Sequence, residues 1–272
     1  MVKIIKIVLL LFISALGLYS AFYNIDFNDL LYRILTVDLM RFSAAIIILI
    51  VACIFRAKRL QYIVSPLDDN ISLHHLFSST MIGYFGNGIL FFRLGEVLKA
   101  YSISQGNKIT PSESFGVVML ERIIDALTVL IFLLVFLPWL PTDNKTIRYW
   151  VIAFVAVTLL FTFIIVILKF INWKIFISSM GFISESIRNT TISIIDKIFN
   201  GIDAIIKTKH TWGIIISTLL IWVCYYLMTI WLLESCGIYL NLSGNFVMLL
   251  MGAIIIAVPA LPGGLGTYEA GI

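Results

Sequence analysis

Residues 115–137, FGVVMLERIIDALTVLIFLLVFL, are apolar over a membrane-spanning length, yet Glu121, Arg122 and Asp125 lie inside this stretch. A helix of about 20 apolar residues crosses the hydrocarbon core of a bilayer. Each charge at the bilayer centre costs about 2.5–3.5 kcal/mol on insertion scales, so three charges need partners. Glu121 and Asp125, four residues apart, share a helical face. Two interpretations stay open: a polar cluster that locks helices together, and a polar path through the membrane.

The start of this helix is marked by Thr110-Pro111-Ser112-Glu113. Thr110 supplies an N-cap hydroxyl, Pro111 suits the first helical position, and Glu113 lies three residues after the cap. At 1.5 Å per residue, Glu121 lies about 15 Å along the helix from Pro111. The buried charges are therefore expected near the middle of the membrane.

The composition indicates a membrane protein, because 61% of the residues are hydrophobic and only 12% are charged. Mean hydropathy is +1.05, far above that of a soluble domain. We predict an all-α, polytopic transmembrane helix bundle that forms a single integral membrane domain over residues 1–272. The predicted spans are about 4–23, 39–56, 114–138, 149–169, 212–234 and 245–261, the first being an uncleaved helix. The net charge of +4 is spread between the helices and indicates no nucleic-acid partner.

Residues 73–105 begin as an apolar segment, contain Gly83, Gly86 and Gly88, and then become amphipathic. The two possible topologies differ in how many basic residues each places on either side of the membrane. A re-entrant hairpin with a cytoplasmic N-terminus places 14 Lys and Arg inside and 4 outside, counting Arg56 and Arg59 among the cytoplasmic ones. A full crossing gives 7 and 11. The positive-inside rule favours the re-entrant, broken-helix hairpin.

Residues 182–209 form a long amphipathic stretch in which isoleucines recur at helical spacing opposite a polar face. This pattern predicts an amphipathic helix in the cytoplasmic interface of the membrane. A helix that docks a partner protein is the alternative interpretation.

A first candidate binding segment follows the glycines of the hairpin, where Arg93, Glu96 and Lys99 form a ridge of alternating charge. Irregular backbone at membrane depth is tolerated only where it packs in protein or lines a wet cavity. An arginine at such a helix start can hold a phosphate through two N–H groups. The competing interpretation is an ordinary juxtamembrane helix with snorkelling Arg and Lys side chains.

A second candidate segment ends the last predicted span, in PALPGGLGTYEA over residues 259–270. Prolines and glycines there predict a broken helix near 259–268, of the kind that transporters place around substrate. A plain helix-turn-helix exit is the alternative. The residues concerned are Pro259, Pro262, Gly263, Gly264 and Gly266, followed by Glu269 in the first turn of a new helix.

Other chemistry finds no support in the sequence. Cys53, Cys224 and Cys236 have no CxxC spacing, and the adjacent His74 and His75 point in different directions on a helix. No metal and no cofactor are therefore expected. Motifs of hydrolases, metalloproteases or nucleotide-binding enzymes do not occur in the chain.

Three motifs together resemble the transmembrane region of lysylphosphatidylglycerol synthetases, whose stand-alone relatives are flippase-like membrane proteins. The motifs are R-x-G-E-x-x-[RK]-A, E-R-x-x-D and P-G-G-x-G-x-x-E-A, in that order. Their matching positions are Arg93, Gly95, Glu96, Lys99, Ala100, Glu121, Arg122, Asp125, Pro262, Gly263, Gly264, Gly266, Glu269 and Ala270. The proline that usually precedes the first motif is replaced by Phe91 and Phe92, so we expect Gly86 and Gly88 to supply the bend.

The resemblance implies a flippase-like translocator that moves the headgroup of an anionic or modified lipid, or a lipid-linked substrate, across the cytoplasmic membrane. Arg93 and Lys99 would attract an anionic headgroup, while Glu96, Glu121, Arg122, Asp125 and Glu269 would line its path. A membrane lipid, a homo-oligomer or a separate synthetase subunit are the partners expected. An integral-membrane transferase and a non-catalytic scaffold are the alternatives. Relatives usually continue for further helices, so we expect the chain to be truncated at its C-terminus.

Overall fold

The computed structural model describes residues 31–32, 34–90, 93–136 and 185–257, with residue 19 and scattered positions from 149 to 167. The regular elements of these ranges are α-helices, and no strand occurs among the residues described, so the predicted all-α class is confirmed. The helices are α1 (Leu39–Val64), α2 (Leu73–Ile89), α3 (Gly95–Ser104), α4 (Pro111–Phe136), α5 (Glu185–Ile202), α6 (Ala204–Lys207), α7 (Thr211–Ser235) and α8 (Leu242–Ala257).

Helices α1 and α7 form the central antiparallel pair of the bundle. Both are apolar and long enough to cross a membrane; the 26 residues of α1 rise about 39 Å. At one end of the pair the Asp38 amide donates to the Ser235 carbonyl over 2.9 Å. At the other end the Thr208 hydroxyl donates to the Tyr62 carbonyl over 2.8 Å. These contacts define two opposite ends of the bundle.

Helices α2 and α3 fold back on each other as an antiparallel hairpin that enters and leaves at one end of the bundle. Before the hairpin, Gln61 donates to the Ile71 carbonyl over 3.0 Å. After it, the Lys108 amide donates to the carboxylate of Asp68 over 2.9 Å. Helix α3 has ten residues and rises only about 15 Å, half of a bilayer core. The hairpin thus has the re-entrant geometry that the charge count favours.

The prediction that the chain bends at Gly86 and Gly88 is wrong, since both glycines lie inside the regular helix α2. The chain turns later, where Leu90 is extended and Arg93 has a φ of 55°. Gly86 and Gly95 instead permit close packing, because a Cβ on either one would overlap backbone of the other arm. Gly88 faces open space.

Helix α4 begins at Pro111 as predicted, behind a capping box. The Thr110 amide donates to the Glu113 carboxylate over 2.9 Å, and the Glu113 amide donates to the Thr110 hydroxyl over 3.4 Å. Helix α5 crosses the first turns of α4, where Asn200 donates to Glu113 over 2.8 Å. The predicted amphipathic stretch is therefore packed on α4, and it is interrupted near Asp203.

Two apolar cores lie at different heights of the bundle. One surrounds the hairpin and the adjoining ends of α1, α4 and α7, with Leu60, Ile103 and Val117 fully buried. The other packs α4 against α7 and α8 around Leu133 and Trp222. The charges of α4 lie between the segments that build these cores. The predicted span 4–23 (apart from position 19) and the broken helix near 259–268 fall outside the described residues, and span 149–169 is described only at scattered positions.

Candidate functional site

Glu121, at the centre of α4, is the hub of a buried charge cluster. Its side chain has 0% exposure and accepts hydrogen bonds from three different cations. Lys99 Nζ lies 2.5 Å from Oε2, while Arg59 Nη2 and Arg122 Nη2 each lie 3.2 Å from Oε1. The carboxylate therefore joins α1, the hairpin and α4 at one point.

Asp125 lies one turn further along α4 and shares Arg59 and Arg122 with Glu121, Arg122 Nη1 lying 3.6 Å from its Oδ2. Its Oδ1 is 2.7 Å from Arg59 Nη1, an ion pair without hydrogen-bond geometry. Its Oδ2 accepts from Arg56 Nη2. The structure thus supplies the partners that the three charges of α4 require, and the cations from α1 are the main ones.

The prediction for Arg56 and Arg59 is wrong. The sequence predicted a span that ends at residue 56 and placed both arginines on the cytoplasmic side. Helix α1 continues to Val64, and the two side chains are 6% and 0% exposed. Their i, i+3 spacing places them on one face, whereas Lys58 bonds Gln61 and lies over the Tyr62 ring. The sequence does contain a sign that the helix is longer. Apolar residues continue at helical spacing past the arginines, and the structure buries them: Ala57, Leu60, Ile63 and Val64.

Three further polar residues, none singled out from the sequence, surround the arginines of α1. Arg56 Nη1 donates to the Tyr84 hydroxyl over 2.8 Å, and that hydroxyl lies 3.5 Å from the Tyr225 hydroxyl. The Arg56 guanidinium also lies 5.8 Å and 6.0 Å from these two ring centroids, within cation–π range. Arg59 Nη1 donates to Thr218 over 3.4 Å. Hydroxyl groups and aromatic rings thus add to the carboxylates as partners of the two guanidinium groups, while Nε of each has no hydrogen-bond acceptor among the described residues.

Lys99 is buried, whereas a residue that binds a lipid headgroup is expected to be accessible. Its side chain is 3% exposed, and its ammonium is bonded to Glu121. The methylene chain packs beside Gly83 of the facing helix. Lys99 therefore neutralises the hub from the hairpin side and is not available at the surface of the cluster.

The cluster is closed on one side and open on the other. Arg122 is 30% exposed, Glu96 is 18% exposed and Asp125 is 16% exposed, whereas the side chains of Arg59 and Glu121 are both at 0%. Arg122 Nε lies 3.7 Å from Glu96 Oε1, and Asn87 Nδ2 donates to the same oxygen over 3.3 Å. The tip of the hairpin and the middle of α4 therefore form the accessible edge.

Arg93 directly precedes α3, the helix that carries Glu96, and has an unusual backbone conformation. Among the described residues it is the only non-glycine with a positive φ, at 55°. Its charge interacts with those of Arg122 and Glu96, yet it forms no ion pair within the described ranges. Strained backbone of this kind persists where surrounding structure enforces it, often at functional sites.

The described site residues carry an excess of positive charge. Three carboxylates face four paired cations, and Arg93 is a fifth cation beside them. A desolvated set of this kind is stabilised by its mutual contacts and favours an additional anion over an additional cation.

The structure brings together six of the seven predicted binding residues, namely Arg93, Glu96, Lys99, Glu121, Arg122 and Asp125. The seventh, Glu269, and the predicted hinge residues Pro259, Pro262, Gly263, Gly264 and Gly266 lie outside the described residues. No group of three His, Cys, Asp or Glu side chains within the described ranges is arranged to hold a metal ion.

The apolar helices and the charges buried between them define a helical integral membrane protein. The family described as "Lysylphosphatidylglycerol synthase TM region" matches residues 4–272. The chain therefore belongs to this family, as the three motifs indicated, and the family implies a membrane protein that acts on lipids. No curated protein and no solved structure matches the chain.

Proposed function

We propose that the protein is a flippase-like translocator that moves a lipid headgroup across the cytoplasmic membrane along the charge cluster. The single observation that supports this proposal best is the open edge of the cluster, formed by Arg122 and Glu96. These charges lie beside the short hairpin and in the middle of α4, about 15 Å from its first residue. Charges at such depth otherwise stay buried, as Arg59 and Glu121 do.

A re-entrant hairpin suits this activity physically. Because α3 covers only half of a bilayer core, its tip ends at the cluster. A polar headgroup that reaches the tip meets charged side chains in place of hydrocarbon, while its acyl chains remain in the lipid. The paired carboxylates and cations limit the cost of holding such a polar layer inside the membrane.

Transport in reconstituted vesicles tests the proposal. The purified protein is placed in vesicles that contain phosphatidylglycerol with a nitrobenzoxadiazole group on one short acyl chain, and reduction by external dithionite reports the movement between leaflets. We expect Arg122→Gln to slow this movement at least tenfold with normal protein abundance, since the residue lies at the accessible edge. Lys58→Gln is the matched control, because Lys58 also lies on α1 but, within the described residues, its ammonium contacts the Gln61 amide and the Tyr62 ring and not the cluster.

A scaffold role is the second candidate, supported by the burial and mutual pairing of Arg59 and Glu121. It predicts that Arg59→Gln lowers protein abundance and that Arg122→Gln leaves lipid movement unchanged. Normal movement in a well-expressed Arg122→Gln protein would therefore reject the translocator and favour the scaffold. Chemical change of the lipid during the assay, followed by mass spectrometry, would instead indicate a transferase.

A further inference from the structure

The charge cluster divides into an inner set that contains the shortest ion pairs and an outer set, Arg122 and Glu96, with longer contacts. The inner set comprises Arg56, Arg59 and Lys99 with the carboxylates Glu121 and Asp125. Three cations thus already neutralise two carboxylates through contacts of up to 3.9 Å. The inner set remains paired even if Arg122 moves away from it.

Arg122 is the cluster cation whose contacts are loosest. One nitrogen is 3.2 Å from Glu121, but its contacts with Asp125 and Glu96 are 3.6 Å and 3.7 Å long, beyond ordinary hydrogen bonds. Its Nε is shielded from solvent and has no hydrogen-bond acceptor among the described residues. Arg122 therefore retains donor capacity for another acceptor.

Arg93 is the second cation with unused capacity. It has no ion pair within the described ranges, and its positive φ, 55°, places it in the turn directly before α3. Glu96 follows three residues later, in the first turn of α3, and lies 3.7 Å from Arg122 Nε. Arg93 thus precedes the helical turn whose carboxylate contacts Arg122.

The sign of the excess charge selects the kind of headgroup. Five cations face three carboxylates in the described site, and the predicted Glu269 could cancel only one of the two excess charges. A net anionic headgroup is attracted to such a site, whereas a headgroup with an added lysyl or other cationic group is repelled. Guanidinium groups bind phosphate oxygens in a bidentate manner.

We propose that Arg93 and Arg122 bind the phosphodiester of a net anionic lipid headgroup and that Glu96 occupies Arg122 in the absence of this ligand. This inference rests on the proposed function, because it names the headgroup that the cluster handles. Binding of the phosphodiester moves Arg122 from Glu96 to the ligand. Asn87, which donates to Glu96 over 3.3 Å, then continues to hold that carboxylate in position.

Binding to the purified full-length chain in a non-ionic detergent tests the assignment. The probe is dioctanoylphosphatidylglycerol, and the comparison ligands are dioctanoylglycerol and the same phospholipid carrying a lysyl ester. We expect the anionic lipid to bind at least tenfold more tightly than either. Arg93→Gln and Arg122→Gln should each weaken its binding about tenfold or more, whereas Glu96→Gln should strengthen it several-fold. Arg188→Gln, which removes an arginine of α5 paired with Glu185, should leave binding unchanged.

Inorganic phosphate as a competitor separates the two sources of a phosphate group. Competition only at concentrations far above those of the lipid supports a lipid phosphodiester. Equal competition would overturn the lipid assignment in favour of free phosphate. Binding that is indifferent to Arg93→Gln and Arg122→Gln would overturn the arginine pair itself, provided that both variants unfold at the wild-type temperature.

The outcomes for this inference and for the proposed function remain distinct. If the vesicle assay shows lipid movement but the lysyl ester binds as tightly as the anionic lipid, the headgroup assignment is wrong and the translocator stands. If the anionic lipid binds through the two arginines but does not move, the binding site stands and the translocator is wrong.

Discussion

At the scale of single residues, we expect substitution of Glu121 to destabilise the protein more than substitution of any other charged residue of the cluster. Its carboxylate is fully buried and receives hydrogen bonds from Lys99, Arg59 and Arg122. Removal of one partner from a buried ion pair leaves uncompensated charge, which is far more costly than the absence of the whole pair. The hub therefore carries more of the stability of the protein than any charge at its surface.

Glu121→Gln is expected to lower the free energy of unfolding by about 3–5 kcal/mol, because the cations around it lose their shared counter-ion. Thermal unfolding of the purified protein in one detergent provides the measurement. Glu185→Gln is the control, since Glu185 is 79% exposed in a single ion pair of 3.7 Å, which contributes about 1 kcal/mol or less. Equal losses in the two variants would contradict the role of Glu121 as a hub.

At the scale of helices, the close crossings depend on glycine. A Cβ on Gly116 of α4 would overlap the backbone of Ile198 on α5, and one on Gly201 would overlap the backbone of Glu113. Backbone cannot rotate out of the way as a side chain can, so the helices would have to move apart. The crossing holds α5 across the first turns of the helix that carries the charges.

Gly116→Ala should destabilise the protein by about 1–3 kcal/mol, the usual range for an overpacked site. Gly88→Ala is the matched control, since Gly88 is also inside a helix but has open space around its α-carbon. That change should be neutral or stabilise the protein by up to about 1 kcal/mol. The unfolding temperatures of the two variants test this prediction. A larger decrease in unfolding temperature for Gly88→Ala than for Gly116→Ala would contradict the packing argument.

The capping box of α4 gives a dependence on pH. Partial burial acts to raise the pKa of Glu113, but hydrogen bonds from Thr110 and Asn200 outweigh it and hold the pKa below its ordinary value. A lowered folded-state pKa contributes stability above the unfolded-state pKa, and this contribution is lost as the pH falls through the folded-state value.

We therefore expect unfolding temperature to fall between neutral and strongly acidic pH more steeply in the wild type than in Glu113→Gln. The comparison isolates Glu113, because the other carboxylates are the same in both proteins. Identical pH profiles would show that the cap contributes no proton-linked stability. Thr110→Ala should cost about 1 kcal/mol at neutral pH by removing the N-cap hydroxyl.

At the scale of the whole molecule, the fold-back of α2 and α3 predicts that the number of complete crossings differs from the number of apolar segments. The loop before α2 and the loop after α3 contact each other through Asp68 and Lys108. Cys236 lies at the opposite end of the bundle, beside Ser235 and its contact with Asp38. Labelling from one side of the membrane can therefore separate a re-entrant hairpin from a crossing.

Asp69→Cys and Gln105→Cys, each made with Cys236→Ser, should react with an impermeant maleimide from the same side of sealed vesicles. The native Cys236, which is exposed, should react from the other side, while Cys53 and Cys224 are buried. From the charge distribution, we expect the side shared by the two loops to be cytoplasmic. Reaction of residues 69 and 105 from opposite sides would show that the hairpin crosses the membrane.

Local sequence patterns were sufficient for the class of protein and for the helix that carries the charges. Apolar length and hydropathy indicate a membrane bundle, and the Thr110-to-Glu113 capping pattern marks the start of α4 because capping depends on neighbours in the chain. The position of charges inside an apolar helix also identifies the centre of the candidate site, since the bilayer makes any such charge exceptional.

Only the tertiary structure decided which side chains satisfy those charges. Arg56 and Arg59 read as loop residues in the sequence, because their partners lie more than sixty positions away on α4. Non-local packing also buried Lys99 and left Arg93 and Arg122 accessible, a distinction that their shared charge cannot reveal. Sequence alone determined that charges must meet inside the membrane, whereas the packing of α1 and the hairpin against α4 determined which charges are buried in ion pairs and which stay partly exposed.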